Sequence, residues 1–213
     1  MNRTVEEAAY TFTLESLEPR VKQCVRCPLS ETRTNVVFGE GSRTTTVMVV
    51  GEGPGEVEDR TARPFVGPAG QKLDEVLASV DIAREALYIT NVVKCRPPGN
   101  RAPSKVEMEA CFPYLEAQIA LINPGLIVTL GNTPTQWFVP EADGITKSRG
   151  TFLAWRGGIT ILPMFHPSYL LRNPSRAKGS PKYLTWLDIQ KVRTWLDEHG
   201  GTEDAGRAGG VRS

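Results

Sequence analysis

Four cysteines are the residues of this chain best suited to bind a metal. Cys24 and Cys27 form a C-x-x-C pair, whereas Cys95 and Cys111 stand much further along the chain. In a reducing compartment this pattern favours metal binding over disulfides, and four thiolates suit either zinc or an iron–sulfur cluster. The spacing does not separate these two metals, and a buried free thiol is the alternative, above all for Cys111 on its apolar helical face.

A carboxylate, a carboxamide and an imidazole each stand at the end of a short apolar run. Glu52 follows Gly51, Asn91 ends the next run, and His166 follows the last one. Because ligands of open α/β sheets bind beyond the carboxyl ends of the strands, we expect these three side chains to meet in one crevice. The plainer alternatives are a turn cap for Asn91, a structural His-Pro pair for His166 and a loop-fixing role for Glu52.

The apolar runs themselves predict buried β-strands. The four segments are Thr46–Val50, Leu87–Thr90, Leu126–Leu130 and Ile159–Leu162. A hairpin arm over Thr151–Trp155, turning at Arg156-Gly157-Gly158, is expected just before the last of them.

Helical patterns lie between the predicted strands. Ser104 and Glu107 form a capping-box pattern, and Ser180 with Pro181 fits the start of a last helix. The core face of that last helix is predicted to hold Trp186, Ile189, Val192 and Leu196. Strands that alternate with helices in this way predict a mostly parallel sheet covered on both faces.

The length of 213 residues predicts one domain, which we assign to residues 1–198. A Gly-rich, polar tail over residues 199–213 is expected to be disordered. No apolar run reaches the roughly 18–20 residues of a membrane span, and the N-terminus shows no apolar signal segment. A cytoplasmic protein is therefore expected.

The formal net charge of only +1 restricts any nucleic-acid contact to a local basic surface. Two stretches could supply one, and their cations are Arg96, Arg101 and Lys105, and Arg172, Arg176, Lys178 and Lys182. The alternative is that these are ordinary solvated surface charges.

Three motifs stand in order between Cys24 and Leu196. The first runs Gly51-Glu52-Gly53-Pro54-Gly55-Glu56, followed by Glu58-Asp59 and Arg63-Pro64-Phe65-Val66-Gly67. The second is Asn91-Val92-Val93-Lys94-Cys95-Arg96-Pro97, and the third is His166-Pro167-Ser168-Tyr169-Leu170-Leu171-Arg172-Asn173. Together with the four cysteines they resemble the family 4 uracil-DNA glycosylases, the bacterial and archaeal iron–sulfur branch of that superfamily.

The resemblance implies a single three-layer α/β/α domain with a central four-stranded, mostly parallel sheet. It implies a structural [4Fe-4S] cluster held by the residues that match Cys24, Cys27, Cys95 and Cys111. It also implies a monomeric DNA repair enzyme, without membrane attachment, that hydrolyses the N-glycosidic bond of uracil in single- or double-stranded DNA.

The resemblance further implies how the base is held. Phe65 matches the stacking residue, and the carboxamide of Asn91 would donate to uracil O4 and accept from N3–H. Glu58 is expected to block the C5 methyl of thymine, and the backbone amide of Gly53 to contact the base or a phosphate. A neutral His166 would donate to uracil O2 as negative charge develops there.

The remaining roles concern water and DNA. Glu52 is expected to orient the attacking water or to stabilise the cationic sugar. Leu170 or Leu171 would fill the space left by the extruded base, with a core leucine as the alternative. Ser168 and Arg172 are expected to contact the DNA backbone.

Two departures from related glycosylases stand out. The stretch Arg96–Pro103 lacks the histidine-containing insertion of the subgroup that crosslinks to uracil-DNA, which favours an enzyme that turns over. Gly53 stands where some glycosylases place a water-activating Asp, so the water-activating group stays open. Three competing hypotheses remain: a glycosylase that also acts on deaminated purines, an iron–sulfur redox protein, and a non-catalytic DNA-binding module that is stabilised by a zinc ion.

Overall fold

The computed structural model describes residues 12–199, so the predicted tail beyond His199 lies outside the described residues. Within this range the chain forms one mixed sheet with helices on both faces. The strands are β1 (Glu40–Gly41), β2 (Val47–Gly51), β3 (Tyr88–Asn91), β4 (Leu126–Leu130), β5 (Leu153–Ala154) and β6 (Thr160–Met164). Their order across the sheet is β1-β3-β2-β4-β6-β5.

The sheet has six strands rather than the four expected, but its four inner strands, β3, β2, β4 and β6, are parallel to one another, which confirms the predicted mostly parallel sheet. The two outer strands are short and antiparallel, β1 on β3 and β5 on β6. Strand β5 is the predicted hairpin arm, shortened to two residues. Strand β1 was not predicted, because a two-residue Glu-Gly pair carries no periodicity.

Alternation along β2 shows why the sheet is covered on both faces. Val47 and Val49 belong to one hydrophobic core, and Met48 and Val50 belong to the other. Since successive side chains of a strand point to opposite faces, each face carries its own apolar layer. The three-layer α/β/α prediction is therefore confirmed.

The helices of the described residues follow the strands in alternation. They are α1 (Leu14–Lys22), α2 (Leu29–Thr32), α3 (Glu56–Thr61), α4 (Pro68–Ala78), α5 (Lys105–Ile122), α6 (Asn132–Phe138), α7 (Ile145–Ser148), α8 (Pro167–Arg172) and α9 (Pro181–Glu198). Across residues 12–199, none of these helices combines the length and the apolar character needed to cross a bilayer.

The predicted starts of α5 and α9 are confirmed. Ser104 and Glu107 form a complete capping box, and Ser180 caps α9 with Pro181 in the first turn. One prediction for α9 is wrong: Trp186 does not lie in the core but is 44% exposed. The helix turns Ile189, Val192 and Leu196 inward, and the large ring of Trp186 falls at the margin of that face.

Candidate active site

A pocket of about 730 Å³ opens at the carboxyl ends of the four parallel strands. Phe65, Asn91 and His166, which the sequence predicts to contact one base, all line it. The other predicted site residues in its wall are Glu52, Gly53, Glu58, Ser168 and Arg172. The fold therefore brings into one cavity every residue of the predicted catalytic and base-binding set.

Gly51 lets the stacking ring and the carboxamide approach each other. It pairs with Asn91 in the register of β2 and β3. A Cβ atom on Gly51 would lie 2.4 Å from Phe65 Cζ and 2.5 Å from Asn91 Oδ1. Such contacts are far below van der Waals distance, so only glycine leaves room for both side chains here.

Asn91 is 2% exposed, yet its Oδ1 atom has no hydrogen-bond partner among residues 12–199. A buried polar atom without a partner costs about 1–3 kcal/mol, and such atoms are rare in folded proteins. Because Asn91 lines the pocket, this acceptor is available to a donor on a bound ligand.

His166 caps the N-terminus of α8 with its ring. The backbone N–H of Ser168 donates to His166 Nδ1 at 3.2 Å, and Ser168 Oγ lies 2.8 Å from the same atom. Since Nδ1 accepts, the neutral ring carries its proton on Nε2. The Phe65 and His166 ring centroids are 6.0 Å apart, so this N–H belongs to the same cavity as the stacking ring.

The ring of His166 is neutral at physiological pH. Burial, helped by the positive charge of Arg172, lowers the pKa of His166 to about 4, although Glu58 acts in the opposite direction. The imidazole is therefore an uncharged donor at pH 7.

Glu52 has a partner that the sequence did not indicate. Thr133 Oγ1 donates to Glu52 Oε2 at 2.5 Å, from the start of α6. The hydrogen bond joins the loop after β2 to the loop after β4 and fixes one carboxylate oxygen. Thr133 stands two residues after Gly131, the glycine that follows β4, and this position near a strand end is the signal that could have revealed it.

The backbone of Phe65 is held from both sides. Phe65 has a φ of +49°, which is unfavourable for a residue with a side chain. Glu58 Oε1 accepts from the backbone N–H groups of Val66 at 3.0 Å and Gly67 at 2.7 Å. Arg84 Nη1 donates to the carbonyl oxygen of Phe65 at 3.0 Å. Glu58 thus fixes the stacking loop in addition to lining the pocket, and Arg84 is a second support that the motifs did not reveal.

The predicted wedge must be reassigned within the leucine pair. Leu170 is 1% exposed in α8, which packs against α4, and so is a core residue. Leu171 is 44% exposed and is the leucine of this pair that can reach DNA. The helical turn explains the difference, because consecutive residues of a helix face about 100° apart.

Two predicted cations near the pocket are bound to carboxylates. Arg101 forms a bidentate pair with Glu107, at 2.8 Å and 2.6 Å. Arg96 donates to Asn100 Oδ1 at 2.7 Å and lies 3.6 Å from Glu56. Neighbouring carboxylates of the same chain therefore partly neutralise the charges of Arg96 and Arg101. Arg172, by contrast, has no carboxylate within 4.0 Å among the described residues.

The four cysteines form no disulfide among the described residues and line one cleft between α1, α5 and the segment after β3. Three hydrogen bonds point at their sulfurs, from the Arg26 N–H to Cys24, the Lys94 N–H to Cys111 and the Arg33 guanidinium to Cys95. Donors of this kind stabilise metal-bound thiolates. The cleft therefore fits a group bound by four cysteines.

Lys94 is a fully buried lysine next to this cleft, which the sequence did not single out for a role. Its Nζ donates to Thr90 Oγ1 at 2.5 Å and to the Asn91 carbonyl oxygen at 2.7 Å. Burial lowers the pKa of Lys94 to about 7, against the opposing charges of Cys111 and Cys95. Lys94 thereby connects the cysteine cleft to the backbone of the strand that ends in the pocket.

Sequence comparison supplies the relatives of this chain. The family model of the uracil DNA glycosylase superfamily matches residues 38–190. The type-4 uracil-DNA glycosylase of Thermotoga maritima is 50% identical, covering 88% of this chain and 96% of the relative. The type-4 uracil-DNA glycosylase of Sulfurisphaera tokodaii is 42% identical, covering 85% of this chain and 84% of the relative. A type-5 uracil-DNA glycosylase of Mycobacterium leprae is 31% identical over only 62% of this chain.

Proposed function

The chain belongs to the type-4 branch of the uracil-DNA glycosylase superfamily, and from this premise we propose that it removes uracil from DNA by hydrolysing the N-glycosidic bond. The product is an abasic site, the starting point of base excision repair.

The unpartnered Oδ1 atom of Asn91 is the observation that carries this proposal. Uracil offers an N3–H donor and an O4 acceptor side by side, and the Asn91 carboxamide offers an acceptor and a donor in the matching order. Cytosine offers the opposite pattern, so it would leave buried polar groups unpaired. The ring of Phe65 supplies a stacking surface worth about 1–3 kcal/mol per base.

His166 stabilises the leaving group. As the N-glycosidic bond breaks, negative charge develops on the uracil ring, and the Nε2–H of the neutral imidazole donates to O2. An oriented donor of this kind in a buried site is worth about 2.7–4 kcal/mol of activation free energy. A charged imidazolium would already favour a negative ligand in the ground state, whereas a neutral donor gains strength mainly in the transition state.

Glu52 acts on the sugar side of the bond. Its carboxylate is fixed through Thr133, and it orients the attacking water or stabilises the oxocarbenium-like sugar. Gly53 contributes its backbone amide to the binding of the base or of a phosphate. A Cβ atom at this position would lie 2.8 Å from Val93 Cγ2, so a larger residue would displace the loop that carries the amide.

DNA is held around the pocket by the elements that carry these groups. Leu171 fills the stack vacated by the extruded uracil, and Arg172 and Ser168 contact phosphates. Glu58 lies beside the base and excludes the C5 methyl of thymine.

The four cysteines hold a [4Fe-4S] cluster, which links the segment after α1 to β3 and α5. The resemblance of the cysteine pattern to that of the iron–sulfur branch supports this choice over a single zinc ion. Hydrolysis needs no electrons, so the role of the cluster is structural.

A uracil-excision assay tests the proposed function. Purified protein is incubated with oligonucleotides containing U·G, U·A or single-stranded U, and abasic sites are then cleaved with alkali. Release of uracil is expected, and the Asn91→Ala and His166→Ala variants are expected to lose most of it. Absence of cleavage on all three substrates would overturn the proposal.

A further inference from the structure

A second groove, of about 290 Å³, lies between α4, α8 and α9. It is not part of the uracil pocket, and its wall includes the buried Leu170 together with Arg176 and Lys182 of the second basic stretch. Cationic and aromatic side chains dominate its wall, namely Lys72, Arg176, Lys182, Tyr183 and Trp186.

The aromatic part of the groove is a ring surface that faces solvent. Trp186 is 44% exposed, although its position in α9 predicts a core residue. The ring of Tyr183 lies beside it, with centroids 6.0 Å apart. An exposed indole supported by a second ring offers a stacking surface of the kind that single-stranded nucleic-acid binders use.

The charges around these rings favour an anion. The wall carries three cations and one carboxylate, Glu75, which is paired with Lys72. Neither Arg176 nor Lys182 has a carboxylate within 4.0 Å among residues 12–199. A groove with this excess of positive charge complements a phosphate.

The groove and the uracil pocket share two walls. In α4, Ala69 lines the pocket and Lys72 lines the groove, only one helical turn further on, about 4.5 Å along the axis. In α8, Ser168 and Arg172 line the pocket while Leu170 lines the groove. A DNA strand that leaves the pocket across α8 therefore arrives at the groove.

We propose that this groove is a subsite for a nucleotide of the same DNA strand that lies beyond the immediate neighbours of the extruded uracil. Its base stacks on Trp186, and Arg176 and Lys182 contact its phosphates. The subsite rests on the proposed function, because it assigns to the groove the strand that carries the target uracil.

The test compares long and short single-stranded substrates. A uracil trinucleotide occupies the pocket alone, whereas oligonucleotides of about 15 nucleotides, extended on the 5′ or the 3′ side, also reach the groove. Trp186→Ala is expected to reduce kcat/KM about 5- to 140-fold on one of the two long substrates, which corresponds to the loss of one stacked base. The trinucleotide should be cleaved at the parent rate.

A double variant tests the phosphate contacts. Arg176→Gln with Lys182→Gln is expected to lower the slope of log binding constant against log salt by about 1.4, since each phosphate contact to single-stranded DNA contributes about 0.7. Binding is measured by fluorescence anisotropy, so it reports on the groove even if excision fails.

Two control variants match these changes elsewhere. Phe152→Ala removes a similarly exposed ring, 46% against 44% for Trp186. Arg43→Gln removes an exposed cation, paired with Glu15, from the loop that precedes the amino end of β2, away from the pocket at the carboxyl ends of the strands. Both controls should bind and cleave like the parent.

Three outcomes would overturn the subsite: long substrates that respond to the groove variants no more than to the controls, equal losses on the trinucleotide, or an unchanged salt slope in the double variant. A parent protein that excises no uracil from any substrate would instead overturn the proposed function.

Discussion

Arg84 holds the backbone of Phe65 in an unfavourable conformation. Its Nη1 atom donates to the Phe65 carbonyl oxygen at 3.0 Å, and its Nη2 atom donates to the carbonyl oxygen of Pro64. Glu40 and Asp74 in turn fix the guanidinium, the latter at 2.9 Å. Backbone strain of this kind persists only where the surroundings enforce it, so a residue outside all three motifs orients the stacking ring.

Arg84→Gln is therefore expected to lower kcat/KM for uracil excision about 10- to 100-fold. Hydrogen bonds to charged groups contribute about 1.5–3 kcal/mol, and without them the Phe65 loop relaxes towards negative φ. Since the stacked base is held in both ground and transition states, the effect should fall mainly on KM. Steady-state kinetics on a single-stranded uracil oligonucleotide measures the division between KM and kcat.

Arg63 provides a matched control for this prediction. It also pairs with Glu40, at 2.8 Å, but it makes no hydrogen bond to the backbone of Pro64 or Phe65. Arg63→Gln should thus change kcat/KM less than about twofold. Equal losses in the two variants would show that the shared Glu40 network, not the Phe65 carbonyl, matters. Arg84→Lys, which keeps one donor, should recover part of the activity.

Asn91→Leu should separate activity from stability. The variant keeps the side-chain volume but loses both hydrogen bonds to the base edge, which predicts a loss of about 5- to 140-fold in kcat/KM. The free energy of unfolding should stay the same or rise, because Oδ1 is buried without a protein partner and its desolvation cost disappears. Urea unfolding measured beside excision checks both parts. A marked drop in stability would mean that Asn91 serves mainly as a structural cap.

The adjacent leucines of α8 should behave in opposite ways. Leu171→Ala is expected to reduce excision from duplex DNA and to leave excision from single strands unchanged, because only the duplex has a stack to refill. Leu170→Ala is expected to destabilise the fold by about 2–5 kcal/mol, since that side chain is buried. Duplex and single-strand assays with thermal unfolding separate the two. An activity loss on both substrates for Leu171→Ala would contradict the wedge.

The sequence predicts what repeats locally and misses what depends on contacts between distant segments. The inner strands follow from apolar runs, and the capping box follows from the spacing of Ser104 and Glu107. The presence of Asn91 and His166 in one pocket follows from their positions at the carboxyl ends of strands. The roles of Thr133 and Arg84 were not predicted, because Glu52 and Phe65 are brought near them only by folding. Lys94 is close to Asn91 in sequence, but its complete burial depends on packing between distant segments. The error at Trp186 has a related cause. Periodicity gives the direction in which a side chain points, but it does not show whether neighbouring elements extend far enough to cover that side chain.

The cysteine cleft predicts a specific metal content. The parent protein should contain about four iron atoms per chain and little zinc, and it should absorb visible light as iron–sulfur proteins do. Cys95→Ser should lose the iron and expose the segment around Cys24 to proteolysis, because one of the ligands that link it to the domain is gone. Metal analysis and limited proteolysis measure these effects.

Val25 supplies the control for the cluster. It lies inside the C-x-x-C pair but is exposed, so Val25→Ala should keep the iron and the resistance to proteolysis. Stoichiometric zinc without iron in the parent protein would refute the cluster and restore the zinc alternative.

His166 should remain uncharged well below neutral pH. Burial, helped by the positive charge of Arg172, lowers the pKa of His166 to about 4. The unfolded chain takes up this proton near pH 6.5, so between pH 6.5 and 4 it binds more protons than the folded chain. This group therefore lowers folding stability as the pH falls through that range, and His166→Ala should remove that part of the acid sensitivity.

The same variant tests the role of the imidazole in excision. His166→Ala should reduce kcat about 10²- to 10³-fold, the cost of losing one oriented donor to a developing anion. In the parent protein, NMR titration should show no charging of His166 near pH 6.5, and Arg172→Gln should raise its pKa because a nearby positive charge is removed. A ring that titrates near pH 6.5 in the parent would be charged in part of the working range. The neutral-donor mechanism would then fail, even if the alanine variant were inactive.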